Sequence, residues 1–296
     1  MPAAIGQMRE VFRELSDGHA QNQTRRRLIL PTGSVLHSLA GAFGKYFGTK
    51  VYSTNRRYGA HFLFLLYSAE DARPLALLEA NYLGQIRTGA ATGYATDLLA
   101  RPDAATLAVI GTGFQARTQV EAVLNVRRVR EVRVWSRSAE KRQKFSDECA
   151  RDFGLPVRAP DSAEAAVRGA DIIVAATNAR DPVLDSEWVS PGAHVNAIGS
   201  NQPNRREVPA ELVRRADMIV VDSIEQARLE AGDLVMGLDP EGWQQVRELK
   251  DVTRRPSEQS VTLFKSLGLG VEDVAAAAYV FESGEGTRQL PVFDHS

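Results

Sequence analysis

Cysteine is almost missing from this chain: Cys149 is the only one in 296 residues. One thiol can neither close a disulfide within the chain nor build a thiolate metal cluster, which sets aside stapled secreted folds and zinc ribbons. A reducing, cytoplasmic setting is the expectation. Charge of one sign is missing too. Lys and Arg number 36 against 37 Asp and Glu, a formal net charge of −1, so composition gives no general attraction to nucleic acid or to a membrane surface. No apolar run approaches the roughly 18 residues of a membrane span, and MPAAIGQMREVFRELSDG at the start lacks the basic-then-apolar layout of a secretory leader. Neither a nucleic-acid nor a membrane partner is expected. His37, His61 and His194 are scattered, with no spacing that joins them to Cys149 or to carboxylates as ligands, so a site without metal is expected.

What is present from residue 104 onward is alternation. Candidate strands at 106–111, 131–136, 156–160, 171–177, 193–199 and 217–223 are near-continuous Val and Ile runs, with helical stretches such as SAEKRQKFSDECARDFG between them. This βαβ pattern predicts an α/β domain over 104–259, a Rossmann-type doubly wound parallel sheet. The first hundred residues differ. A helix at 3–15 leads to RRRLILP, GTKVYST, HFLFLLYS and RPLALLEA with no helices between them, then to a helix at IRTGAATGYATDLLA. That order predicts an antiparallel or mixed sheet. GVEDVAAAAYVFESGEG supplies one more helix ended by Gly284, and packing of this tail on the first part would make a second, α+β domain from 1–103 plus 260–296.

The turn GTGFQA at 111–116 is G-x-G-x-x-A. Gly111 permits the tight turn, Gly113 lets backbone approach a pyrophosphate, Phe114 and Gln115 complete the turn, and Ala116 keeps helix and strand close. Two glycines often serve turn geometry alone. Here they follow an apolar strand, open a helix and head further βα units, which argues for a dinucleotide on the helix N-terminus. About 20 residues further on, where an acid would hold the ribose of NAD, the chain reads VWSRS. Ser136 and Arg137, with Lys141 a turn beyond, suit a 2′-phosphate, so NADP(H) is favoured and NAD(H) is the alternative. Thr177, Asn178, Gly199 and Ser200 close strands whose ends should face the same ligand. Asp185 and Glu187 read as caps or solvated charges; Asp222 is expected to cap the helix at SIEQARLEAG.

Basic residues of the first part are candidates for a substrate anion: Arg25, Arg26 and Arg27 before a strand, Lys50 within one, Arg87 ahead of a small-residue helix. Taken singly, each also reads as ordinary solvated surface. The blocks GTKVYSTN, RPLALLEANYLGQIRTGAATGYATDLLA, AVIGTGFQARTQVEAV, SPGAHVNAIGSNQPNRREV and TLFKSLGLGVEDVAAAAYV change this, because together and in order they resemble the ornithine cyclodeaminase and mu-crystallin family. The resemblance spans nearly the whole chain. It implies a homodimer in which the Rossmann domain is inserted in a substrate-binding and dimerisation domain, and hydride transfer between nicotinamide and an α-amino or cyclic imino acid. By motif it implies substrate-binding Arg26, or Arg27 given the arginine run, together with Arg87, a catalytic Lys50, and Gly268 beside the nicotinamide. Relative to the family, the chain begins inside the first helix without the leading strand.

One position departs from the pattern. Where ornithine cyclodeaminases carry a catalytic aspartate, GSNQP places Asn201, whose amide can orient an amine or imine but cannot take its proton. Simple imine reduction or amino-acid oxidation is therefore expected, with Lys50 and Asn201 as its catalytic residues. The alternatives are cyclodeamination of ornithine with NAD+ used catalytically, and a crystallin-like protein that binds NADPH and a small ligand without turnover.

Overall fold

A computed structural model of the chain describes residues 1–284. It divides into two compact units, one of Met1–Ile5 with Thr88–Leu267, the other of Gly6–Arg87 with the segment from Gly268 onward. The divisions at 87/88 and 267/268 differ from the 103/104 and 259/260 read from sequence. Two elements account for the difference: helix α2 (Asn81–Leu99) runs through the first division, and strand β13 (Thr262–Lys265) belongs to the parallel sheet.

The smaller unit contains most of helix α1 (Pro2–Ser16) and a meander of strands β1 (Gln21–Ile29), β2 (Val35–Phe43), β3 (Tyr46–Asn55), β4 (Gly59–Ser68) and β5 (Pro74–Glu79). Each strand pairs antiparallel with the next, in the order β1-β2-β3-β4-β5. Period-two alternation sets the faces. On β3, Tyr46, Gly48, Lys50 and Tyr52 are buried while the residues between them are half-buried. The C-terminal helix, α9 (Gly270–Ser283), packs on that inner face through Val274, Ala277 and Ala278, against Tyr46, Phe64 and Leu66. Small residues make this approach close: a Cβ on Gly41 would lie 2.5 Å from the Val271 nitrogen, and one on Gly270 would lie 2.4 Å from the Ala40 oxygen. On the outer face Leu28, Leu36, Leu63 and Leu77 are each 45–60% exposed.

In the larger unit the strands are β6 (Thr106–Ile110), β7 (Glu131–Trp135), β8 (Val157–Arg158), β9 (Ile172–Ala175), β10 (His194–Ala197), β11 (Met218–Val221), β12 (Val246–Glu248) and β13, all paired parallel. Their order is β12-β11-β13-β10-β9-β6-β7-β8. Chain order reverses between β6 and β9, the switch point of a doubly wound sheet, where ligands bind beyond the strand C-termini. Helices α3 (Ala116–Val126), α4 (Ala139–Phe153), α5 (Ala163–Val167), α6 (Ala210–Arg215), α7 (Ile224–Glu230) and α8 (Gly232–Val235) form the connections. Two apolar clusters around Ile110, Ile173 and Val195, and around Val109, Val120 and Val134, fill the unit. Among the described residues no helix is long and apolar enough to cross a membrane.

Candidate active site

In the smaller unit the sheet and α9 bring together cations that the sequence scatters. Lys50 lies at the centre of β3 with 3% exposure, and its Nζ sits 2.8 Å and 2.7 Å from the two carboxylate oxygens of Asp273 in the first turn of α9. Arg87 is equally buried. Its Nη1 donates to Glu272 Oε2 at 2.8 Å, and its Nε lies 3.0 Å from Asp273 Oδ1. Arg25 is the third cation, 6% exposed, donating from Nη2 to the Gly268 carbonyl at 3.2 Å. Among the described residues the cluster thus brings three cations and two carboxylates together. Burial, and then the Arg87 charge, hold the Lys50 pKa down to about 8, with Asp273 opposing them.

The first-strand arginine in the cluster is Arg25, whereas Arg26, the residue expected from the motif, is exposed on the outer face. A β-bulge is the reason. Gln23 pairs with Ala40 and Arg26 with Ser38, so Thr24 and Arg25 together face Leu39 alone. The additional residue switches the side-chain parity and turns Arg25 and Arg27 to the inner face. Gly268 also belongs to this cluster: at φ +77°, a Cβ there would come 2.0 Å from Arg87 Nη1. Glu272 and Asp273 were not anticipated, since acids in a first helical turn normally read as dipole partners.

In the larger unit the glycine turn at 111–115 joins β6 to α3, strand to helix. Gly111 has φ +114°, and a Cβ on it would strike the Ala176 carbonyl at 2.4 Å across the switch point. A Cβ on Gly113 meets nothing within 4 Å, so the backbone is open to a ligand there. Gln115 precedes α3 without a side-chain cap, and Phe114 is 46% exposed. These residues fit a dinucleotide pyrophosphate on bare helix amides. Past β7, Ser136 Oγ donates to the Ser138 carbonyl at 3.2 Å, Ser138 caps α4, and Arg137 is exposed. No carboxylate replaces them at that strand end. Thr177, Asn178, Gly199 and Ser200 follow β9 and β10 as read, and Asn201 is half-buried in the same loop.

A buried carboxylate missed by the sequence reading supports those loops. Glu207 Oε1 accepts the Thr177 N–H at 2.5 Å and Oε2 accepts the Gly199 N–H at 2.6 Å. Asp233 in turn accepts the Glu207 and Val208 N–H groups at 2.6 Å and 2.9 Å, and pairs with buried Lys265 at 3.0 Å. Burial, and then the Asp233 charge, raise the Glu207 pKa against Lys265 and the hydrogen bonding of Thr177. The only sequence signal was a lysine inside the apolar TLFK strand. Asp222 does not cap α7; Ser223 does, accepting from Gln226, while Asp222 accepts the Leu267 N–H at 2.5 Å. The serine wins because its hydroxyl stands at the N-cap position itself. Asp185 caps as expected, accepting from Glu187. His194 is a structural residue, held by Thr262 and Asn196, and burial lowers its pKa to about 3.

The sequence matches the profile of the ornithine cyclodeaminase/mu-crystallin family over residues 1–288. The chain belongs to that family. It is 40% identical over 229 residues to a Delta(1)-pyrroline-2-carboxylate reductase of Bacillus cereus, covering 74% of this chain and 70% of that one. The structure of the Thermococcus litoralis Delta(1)-pyrroline-2-carboxylate reductase in complex with NADH and L-proline gives a TM-score of 0.90 at 30% identity, over 95% of this chain and 92% of that one. An archaeal alanine dehydrogenase dimer with bound NAD gives 0.91, also at 30% identity, over 98% and 94%. Family membership accounts for the inserted parallel sheet and the returning α9 alike.

Proposed function

We propose that this family member is an NAD(P)(H)-dependent oxidoreductase that interconverts a small α-imino acid, cyclic or open-chain, with the corresponding amino acid. The observation that carries this reading is Lys50, an ammonium fully buried between Asp273 and two guanidinium groups with its pKa near 8. Arg25 and Arg87 fork onto the α-carboxylate of the substrate. Lys50 Nζ then stands beside the substrate nitrogen and gives it a proton, while Asp273 holds the ammonium in place. When bound, the dinucleotide supplies the hydride that the imine carbon gains. The amine forms as carbon takes hydride and nitrogen takes the proton; oxidation reverses both. Asn201 orients by hydrogen bond and cannot relay a proton, which tells against ornithine cyclodeamination.

Ser136 and Arg137, with no acid at the β7 end, support a preference for NADP(H) over NAD(H). With NADPH in excess, Δ1-pyrroline-2-carboxylate and Δ1-piperideine-2-carboxylate are expected to consume the reduced-nicotinamide absorbance, and paired titrations to show tighter NADPH than NADH binding. Ammonia and proline from ornithine without net absorbance change would identify a cyclodeaminase. Cofactor binding without turnover of any imine would identify a ligand-binding protein.

A homodimer is part of the same reading. Leu28 pairs with Leu36 across β1 and β2, and Leu65 with Leu77 across β4 and β5, on the outer sheet face, where Leu28, Leu36 and Leu77 are each 45–60% exposed. Exposed apolar surface of this kind marks an interface. Sedimentation is expected to give about twice the chain mass of 32.4 kDa, and Leu36→Lys to shift it toward one. The setting is cytoplasmic, in keeping with a lone thiol, Cys149, that is fully buried.

A further inference from the structure

The parallel sheet of the larger unit carries buried charges that the proton chemistry at Lys50 leaves unused. With a pyrophosphate on the glycine turn after β6 and the adenosine half toward Ser136 and Arg137 after β7, the nicotinamide half falls to the loops after β9 and β10, across the switch point. Thr177 and Gly199 stand just past those two strands.

Three fully buried ionisable side chains form one cluster there. Glu207 takes the Thr177 and Gly199 N–H groups, one on each carboxylate oxygen. Asp233 accepts the Glu207 and Val208 N–H groups through Oδ1 and faces the Lys265 ammonium through Oδ2 at 3.0 Å. Lys265 is the last residue of β13 and pairs with Ala197, the last of β10, at the end of the sheet where the Gly199 loop begins. Close backbone approach fixes the group: Gly199 has no room for a Cβ against the Thr177 backbone, nor Gly232 against the Arg205 and Gln202 carbonyls. Val183 N–H donates to the Glu207 carbonyl at 2.9 Å, and Arg205 Nη1 to the Asn178 carbonyl at 2.7 Å, stitching the two loops together. Among the described residues of this cluster, two carboxylates stand against one ammonium. Burial opposes the charge on Glu207, but an N–H on each oxygen favours the carboxylate over the acid. Arg205 and Arg206 are half-buried and reach solvent, where water screens them.

We propose that the Glu207–Asp233–Lys265 cluster holds one uncompensated negative charge behind the loops that receive the nicotinamide half, and that this charge tilts cofactor binding toward the oxidised, cationic form over the reduced, neutral one. The inference rests on the dinucleotide reading of the glycine turn and of these loops. The two forms carry the same phosphates and differ by one positive charge on the ring, so a charge near the ring separates them while the phosphate turn does not. In a water-poor interior such a charge is screened little. Glu207 thereby also favours hydride departure, since positive charge develops on the ring as the imine carbon takes the hydride. Its hydrogen bonds position the loops and its charge selects the redox state, two roles that substitutions can separate.

The test is the ratio of the NADP+ and NADPH dissociation constants, measured by calorimetry on the intact protein without substrate. Glu207→Gln should weaken NADP+ about tenfold more than NADPH, the scale of one unit charge acting at short range inside protein. The difference should persist in high salt, which screens a buried charge little. Glu207→Asp is the counterpart: it keeps the charge but is too short to hold both amides, so both forms should weaken together and the ratio should stay at the wild-type value. If Glu207→Gln fails to fold, Asp233→Asn carries the same test, because its Oδ1 still accepts the Glu207 and Val208 amides while Lys265 is left to offset Glu207. A ratio that stays at the wild-type value in the charge-removing variant, with both forms weakened alike, overturns the proposal and leaves Glu207 a loop anchor only. Wild-type protein that binds neither form removes the dinucleotide reading, and the proposal falls with it.

Discussion

Replacing Lys50 by methionine is expected to lower kcat/KM for imine reduction by about three orders of magnitude while leaving NADPH affinity within a factor of two, since a positioned general acid contributes about 10²–10⁴. Methionine fills the lysine volume without the ammonium. Asp273 keeps its Arg87 contact at 3.0 Å, so the variant retains a charge partner for the buried carboxylate and should remain folded. The pH profile separates a proton donor from a simple anchor. Lys50 must be protonated to reduce an imine, so kcat/KM in that direction should hold below pH 8 and fall as pH rises through its pKa of about 8. Oxidation of the amino acid needs the neutral amine and should rise through the same value. Both breaks should vanish in Lys50→Met, measured on the residual rate; a break near 8 that persists in the variant would assign the titration to another group.

The sequence announced some of these features because local chemistry and global structure agree there. Gly111 and Gly113 follow an apolar strand and precede a helix, and the backbone geometry they permit is present at that turn. Lys50 in an alternating strand and Arg87 in a small-residue helix were visible as residue types. What a lone cation does depends on partners far away in the chain, 223 residues distant for Asp273 and 185 for Glu272. The Arg25 and Arg26 register was hidden for a different reason: a bulge changes which face a residue takes without any change in composition. Strand β2 went unread because GSVLHSLAGAFG is rich in small residues, and those exist to let α9 sit against Gly41. β13 was overlooked because a four-residue strand with a buried lysine lacks the usual apolar signature; its partner Asp233 supplies the missing logic.

Glu207 is the other position where a single substitution should have a large effect. Two loops that follow neighbouring parallel strands are tied by one carboxylate, each oxygen taking one backbone amide, at Thr177 and at Gly199. Glu207→Ala leaves both amides without that acceptor, a loss of about 2–6 kcal/mol at about 1–3 kcal/mol for each orphaned donor. It also frees the segments that carry Thr177, Asn178, Gly199 and Ser200. Denaturant midpoints should fall accordingly, and NADPH should bind at least tenfold more weakly. Glu207→Gln is the sharper variant. The side-chain oxygen still accepts one amide, but the NH2 group faces the other donor, so stability should lie between wild type and alanine while one loop loses its anchor. Weakened NADPH binding in the glutamine variant, at a temperature where it is fully folded, would show that Glu207 positions the loops through its hydrogen bonds. Unchanged NADPH affinity in both variants would mean that the loops hold their shape without it.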